Sequence, residues 1–585
     1  MLDFSYCECD EILADYYYQM IIHSRGSGNL EDMFKYLVNY AYRCLLSDDV
    51  SEANRILEEA TKCIEKIFEE PKVFQWKKPL YEAKVLTLQA ETLIKMKNYD
   101  SSLKLLLLAM KKYNKPVPRQ NLFKLLKLKY LQVSVIYAAF LQPGTFGSNI
   151  NLSQYMYYCD CSRTLAVLCD VYMILKMPLH AQLTGLWSLT EALKARANFS
   201  VTCEAYARAL SVYDCKPGKR MLIMIETMAT FYCRRKKDPI ELDEFRALSQ
   251  LYKRIFFSRC YTADIEKAIE LGYVSVRMFF TQRFSPSLII TMVYLSTILL
   301  IRIYFQECAR LLTELDFHST DSDDIEGKVW FHAQSMLFHI IVGYTIVPYE
   351  QCKTFFKTYF VSQIISDQSL GKQRLIILLW LWCLRNERWE EAEIYTEDIN
   401  RIKEALLWKH STKVYNLFFL LEGYLLYLVH KLDQMNISEI SKINEQIKEV
   451  FMRLKKTAHY LNFMKPRLVL YNAYYLYIQN KESACFKKME KSLKLAQKFN
   501  ILYVEKLGNY LIKAWKKQLP QSVINFWRDH SQEDNLLFYE SLEEHDENVG
   551  FFTFPAPKYI TETSLIHFGK VNFIKRSKIR QIFSK

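Results

Sequence analysis

Glycine and proline number only 14 each in 585 residues, and this scarcity limits the possible folds more than any motif does. A β-sandwich or barrel of this length needs many tight turns, and those turns draw on both residues. Long helices joined by short connections need few. The sequence therefore predicts an all-α chain before any pattern is read. Half of the residues are hydrophobic and 24% are charged, a globular balance and not a disordered one. The length exceeds what one core needs, so several domains or a long repeat array are expected.

The breaks between helices are few. Lys115-Pro116-Val117-Pro118 cannot continue a helix, because each proline lacks a donor and restricts its predecessor. Leu141 to Ser153 and Pro217-Gly218 carry loop and turn signatures, and His318 to Gly327 is polar and acidic. After Pro520 the helical patterning weakens, and the stretch from Asn548, with Phe551, Phe552, Phe554, Pro555 and Pro557, reads as an extended tail. These breaks predict N-terminal repeats at 1–145, middle repeats at 146–320 and C-terminal repeats at 321–520. A tail at 521–585, acidic then basic and partly extended, completes the chain.

Between the breaks, apolar residues recur at helical intervals, as Leu86, Ala90, Leu93 and Ile94 do. Helix pairs that cannot bury their apolar faces alone are the material of repeat arrays. In the tetratricopeptide type, small side chains mark the helix contacts at intervals of twelve and seven residues. Ala90, Ser102 and Ala109 fit, with Tyr99 as the aromatic three residues before Ser102. Thr190, Thr202 and Ala209 fit with Phe199. Ala473, Cys485 and Ser492 fit, but Glu482 stands at the aromatic place. Ser296 and Cys308 fit with Phe305, while Leu315 breaks the third position. Trp389 and Ala392 look like the start of a second helix, yet Trp380 occupies the first small place. The expected fold is an all-α, tetratricopeptide-like helical repeat array, an α-solenoid.

Catalytic signatures do not appear. Gly-Lys occurs at Gly218, Gly327, Gly371 and Gly569, but the following residues are Arg220, Val329, Gln373 and Val571. None offers the hydroxyl that a phosphate-binding loop needs for magnesium. Cys7 with Cys9, and Cys159 with Cys161, lack the spacing that lets two thiolates share a zinc ion. His332 and His339 share a helix face but stand about 10 Å apart along its axis. No catalytic, cofactor or metal residue is nominated, and a non-enzyme without cofactors is expected.

Charge and cysteine usage bear on partners and compartment. The formal net charge of +14 is uneven. Lys570, Lys575, Arg576, Lys578, Arg580 and Lys585 form an acid-free tail, and Arg234 to Lys237 a short basic run. Glu540, Glu543, Glu544, Asp546 and Glu547 lie between them. Solvated faces explain such runs; contact with an acidic protein, a membrane or nucleic acid is the sharper alternative. No nucleic-acid motif accompanies them. Fifteen cysteines, several inside helical patterns, fit free thiols in a reducing compartment. The polar start, Met1 to Asp10, predicts no secretory leader, and a cytoplasmic location is expected. Phe284 to Ile301 and Val329 to Tyr349 are uncharged, yet both read as buried helices and not as membrane spans.

Several segments resemble the long C-terminal helical region of soluble, bicarbonate-responsive adenylyl cyclases. They are Ala263 to Tyr273 leading on to Phe305–Leu312, Leu80 to Met110 with its Lys97-Asn98-Tyr99-Asp100 corner, and Lys491 to Asn500. Similar helix pairs occur in the tetratricopeptide regions of large signalling ATPases. The resemblance covers roughly residues 30 to 520. It implies a regulatory helical region in cyclic AMP signalling, without the cyclase domains and P-loop domain that precede it in that family. A protein-binding scaffold is the expected function. A fragment or subunit of an active cyclase, and a membrane or nucleic-acid contact through the basic tail, are the alternatives.

Overall fold

A computed structural model describes residues 7–69, 75–140, 151–195, 198–213, 219–236, 238–282, 286–321, 324–361, 369–406, 414–458, 461–532 and 551–558. The protein is all-α: 25 α-helices and no strand occur among the described residues. The chain divides into two compact units, Met1–Ser258 with Val274–Ser285, and Arg259–Tyr273 with Pro286–Lys585.

One turn recurs along the chain and explains how it manages with so little glycine. Among the described residues, eleven other than glycine have positive φ, including Asp48, Lys97, Lys176, Ile303, Glu387 and Asn480. Each ends one helix and precedes the next. After each, the following amide donates to the carbonyl five residues back, as Asn98 does to Leu93 at 2.8 Å, Met177 to Tyr172 at 2.8 Å and Lys481 to Leu476 at 3.0 Å. This bond closes the helix and satisfies one of its orphan carbonyls. The left-handed residue costs an L-amino acid roughly 1–2 kcal/mol, least where asparagine supplies it. Asn98 then caps α5 (Tyr99–Lys112) by accepting from the Ser101 amide.

The helix pairs follow from these turns. In the first unit α2 (Leu30–Leu46) packs on α3 (Val50–Glu69), α4 (Lys78–Lys95) on α5, α7 (Leu152–Ile174) on α8 (Pro178–Ala195), and α8 on α9 (Phe199–Tyr213). Ion pairs tie the first helix of successive pairs together. Arg163 on α7 meets Glu91 on α4 at 3.0 Å and lies 4.3 Å over the Tyr42 ring on α2.

In the second unit α13 (Pro286–Arg302), α15 (Ile325–Val342), α17 (Leu370–Arg385), α20 (Val414–Asp433), α22 (Lys465–Ile478) and α24 (Leu502–Trp515) form a row, each packed on the next. Nearly every residue of α15, α17 and α20 is buried. A helix apolar all round must be covered on every side, and here α14 (Phe305–Asp321), α21 (Ile437–Ala458) and α23 (Glu482–Lys498) cover the row. The row turns back on itself: α24 packs against α13, and Arg302 donates to the Asn500 side chain at 2.6 Å. No described helix is long and apolar enough to cross a membrane.

Two sequence expectations need correction. The break expected within His318 to Gly327 does fall there, between two helices, but is narrower than the polar stretch. α14 runs to Asp321, and Asp324 caps α15 by accepting from the Glu326 and Gly327 amides at 3.1 and 3.2 Å. Asp324 and Glu326 stand at the N-terminus of α15, where negative charge complements the positive end of the helix dipole. Beyond Pro520 a further helix, α25 (Gln521–Gln532), forms. Pro217-Gly218 and residues 141–150 lie outside the described residues.

The spaced small residues lie inside the helix pairs. Ala90, Ser102 and Ala109 are buried between α4 and α5, and Tyr99 is half-buried at the corner. Ala473, Cys485 and Ser492 are buried between α22 and α23, and the Ser492 hydroxyl donates to the Pro466 carbonyl at 2.7 Å. Glu482, at the aromatic place, is exposed. Thr190 on α8 and Thr202 and Ala209 on α9 are buried, and Phe199 stacks on Tyr232 at 5.5 Å. Ser102 is fully buried, and its hydroxyl has no hydrogen-bond partner among the described residues. Ser102→Ala is therefore expected to be neutral or mildly stabilising, and Ser102→Trp to cost roughly 1–3 kcal/mol by overpacking. Thermal melts of the two variants check this pair of signs.

Candidate peptide-binding groove

Five helices of the second unit converge on one extended segment, Phe551–Lys558. Its conformation follows from its sequence. Pro555 and Pro557 fix their own φ and push Phe554 and Ala556 toward the extended region. Prolines also leave the segment with more carbonyl acceptors than amide donors.

The groove answers both properties. Phe554 is 2% exposed. Its ring stacks on Tyr474 of α22 at 4.7 Å and lies 6.0 Å from Tyr471. Phe552 meets Trp527 of α25 edge-on at 5.1 Å, and the Arg385 guanidinium of α17 sits 4.4 Å over its ring. Phe551 packs between Tyr503 and Tyr510 of α24, at 5.8 and 5.7 Å. Polar contacts run in both directions, and two groove side chains donate to segment carbonyls. Trp515 Nε1 donates to the Phe554 carbonyl at 3.1 Å, and the Tyr474 hydroxyl to the Pro555 carbonyl at 3.0 Å. Tyr510 and Thr553 share a hydrogen bond of 2.7 Å, Thr553 also donates to the Ile524 carbonyl at 3.4 Å, and the Lys558 amide donates to Asp433 of α20 at 2.6 Å. Burial pushes the Tyr474 and Tyr510 hydroxyls up, so both remain protonated donors.

Three buried phenylalanines contribute roughly 2 kcal/mol each, and five hydrogen bonds about 1 kcal/mol each. Fixing eight backbones costs about 12 kcal/mol, less where proline has already restricted them. The prolines and the residues before them lower that cost, so the contacts outweigh it, and the tether to α25 adds to the occupancy.

Behind the groove lies a buried polar cluster. Arg385 donates from Nε to Glu422 of α20 at 2.8 Å and from Nη1 to the Ile340 carbonyl at 2.6 Å. Trp527 donates to the same carbonyl at 3.2 Å. The other Glu422 oxygen accepts from the Tyr471 hydroxyl, and Arg467 stands 3.6 Å away. The ions that hold the row together thus also position the groove's walls.

His339 of α15 lies against this wall, 6.1 Å from Trp382 and 6.3 Å from Trp527. Burial first, and the charge of Arg385 second, bring its pKa down from 6.5 to about 4. A folded pKa below the unfolded one means that the unfolded chain binds the proton more readily. Stability from this group is complete above pH 6.5 and is lost as pH falls toward 4, by up to about 3 kcal/mol. Melts between pH 7.5 and 4.5 should show a steeper fall for wild type than for His339→Leu; parallel curves would refute this.

The other residues with possible chemistry have structural surroundings. His332 stacks on Phe355 at 4.0 Å, and its Nδ1 is 3.6 Å from Cys352 Sγ. Burial holds that histidine down at about 4 and pushes the thiol up, so the pair is neutral on both sides. Cys159 and Cys161 are buried thiols on α7, and Cys7 Sγ lies 2.7 Å from Cys9 Sγ. No group of three or more metal-ligating side chains occurs among the described residues. In the basic run, Lys236 pairs with Glu244 at 2.8 Å and Arg235 lies 4.2 Å over Phe231. The acidic stretch from Glu540 to Glu547 and the basic tail from Lys570 to Lys585 lie outside the described residues.

Two helix pairs that follow the small-residue rule escaped the sequence reading. Ala41, Ala53 and Ala60 in α2 and α3, and Cys169, Ala181 and Ser188 in α7 and α8, keep the intervals of twelve and seven and are all buried. The second set also repeats a hydrogen bond. Ser188 donates to the carbonyl of Ser162 at 2.8 Å, twenty-six residues back, as Ser492 does to Pro466. The groove residues had no comparable signal, because Arg385, Tyr474, Trp515 and Trp527 are scattered over more than 140 positions. The sequence matches no family model and no curated protein.

Proposed function

We propose that this chain is a non-catalytic protein-interaction scaffold built on a tetratricopeptide-like helical array. The observation that carries the reading is the aromatic groove holding Phe551–Lys558 by stacking and by side-chain donors to backbone carbonyls. Such contacts read an extended peptide and perform no bond chemistry. The neutral state of the His332–Cys352 pair supports the same reading, since a thiolate nucleophile needs the opposite shifts. Resemblance to the helical region of soluble adenylyl cyclases supports a signalling setting, with the array serving a cyclase in cis or as a separate subunit. Affinity capture of the full chain from native extract should recover a stoichiometric protein partner, and failure to recover one would overturn the scaffold reading. The purified chain with ATP and a divalent metal should make no cyclic AMP; turnover would overturn the non-catalytic assignment.

A further inference from the structure

We infer that Phe551–Lys558 is a resident stand-in for a partner's peptide, and that the groove is a site for an extended Phe-x-Phe-Pro segment supplied in trans. The inference rests on the scaffold reading and adds to it the partner's chemistry and a means of control.

The segment defines what the groove accepts. The two aromatic positions one residue apart, Phe552 and Phe554, fill separate sites, one under Arg385 against Trp527 and one on Tyr474. Proline directly after the second aromatic keeps the backbone extended. It also presents the two carbonyls that Trp515 and Tyr474 bind. None of these contacts depends on the segment belonging to the same chain.

Tethering sets the control. Eighteen residues, 533–550, join the segment to the end of α25. A ligand on so short a connection acts at an effective concentration in the millimolar range. An external peptide of the same chemistry and an affinity of about 10 μM is therefore held back about 100-fold until the resident segment is withdrawn. The acidic residues from Glu540 to Glu547 fall within this connection, and the basic residues from Lys570 onward follow the segment in the sequence. A partner or modification that engages either flank has a handle on the segment.

The test uses the full chain carrying Phe552→Ser and Phe554→Ser, which removes the resident side chains without touching the groove. The probe is a fluorescent synthetic peptide of residues 549–560. The double variant should bind it saturably, wild type roughly 100-fold more weakly, and a probe with both phenylalanines changed to serine should not bind. A double variant that keeps its helicity and melting transition but does not bind the probe overturns the inference. Should the double variant unfold, wild type is incubated with a probe carrying a benzophenone side chain at the Phe552 position. Adducts on Trp515, Trp527 or their helices support the site, and adducts elsewhere overturn it. Light scattering separates a partner from a second copy: a wild-type dimer that falls to monomer in the double variant would make the trans ligand this chain's own segment and overturn the partner reading. Probe binding with no protein recovered from extract would sink the scaffold function while leaving the groove's specificity standing.

Discussion

Glu422→Leu is expected to cost about 3–5 kcal/mol, while Arg385→Met added to it should restore most of that loss. The side chains of Arg385 and Glu422 are 3% and 1% exposed. Two charges so far from water are not in themselves a source of stability, because desolvation offsets their attraction. Removing one partner is what costs. With leucine at 422, the Arg385 guanidinium keeps its bond to the Ile340 carbonyl and its place over Phe552 and Trp527. It has no counter-charge, and the α17–α20 contact must open to admit water. Methionine at 385 removes the stranded charge and fills similar volume. Recovery should be incomplete, because Arg467 also loses Glu422 and is left with the Tyr471 hydroxyl at 2.9 Å and its place 4.8 Å over the Phe419 ring, neither of which carries a counter-charge. With two units in the chain, a single unfolding free energy is poorly defined. Amide exchange in α17 and α20, which reports local opening, is the suitable readout. Additive losses in the double variant would show that the pair is not energetically coupled.

The same cluster shows which parts of this protein are legible in its sequence. Helix content was, because scarce glycine and proline leave few other folds. The packing of helix pairs was legible in part, because small residues at fixed intervals allow backbones to approach whatever surrounds them. Ala90, Ser102 and Ala109 needed no other residue to be recognised. Ala41, Ala53 and Ala60 obey the same rule with Val50, not an aromatic, three residues before Ala53. The half-buried Tyr99 and the exposed Glu482 show that this place does not decide the packing. The groove was not legible. Arg385 and Glu422 look like surface charges on apolar helices until the row pairs them with each other behind the groove. Phe551, Phe552 and Phe554 look like an unattached tail until the row turns back and brings α24 and α25 beside α17 and α22. Those are consequences of long-range stacking, which no local pattern records.

Trp380 shows a compensation of the same kind, and it carries the second large prediction. The indole stands where the small-residue rule expects a small side chain, an apparent exception in α17. The structure resolves it on the facing helix, where Gly423 of α20 leaves the room that Trp380 takes. A Cβ at Gly423 would lie 2.6 Å from Trp380 Cη2 and 2.8 Å from Cε3, with Cζ3 nearer still. The ring cannot swing aside, since it is 4% exposed and packs edge-on against Tyr424 at 5.7 Å. In a helix interior, glycine to alanine by itself gains about 1 kcal/mol. Here the clash should outweigh that gain and leave Gly423→Ala destabilising by roughly 2 kcal/mol or more. The sign should reverse in a Trp380→Leu background. That chain is weakened by its own cavity, but alanine at 423 no longer meets a ring and partly fills the space the indole left. Thermal melts of the four chains decide the matter. Gly423→Ala lowering stability equally in both backgrounds would mean that the glycine serves backbone geometry and not the indole, and that the large residue in α17 is accommodated elsewhere.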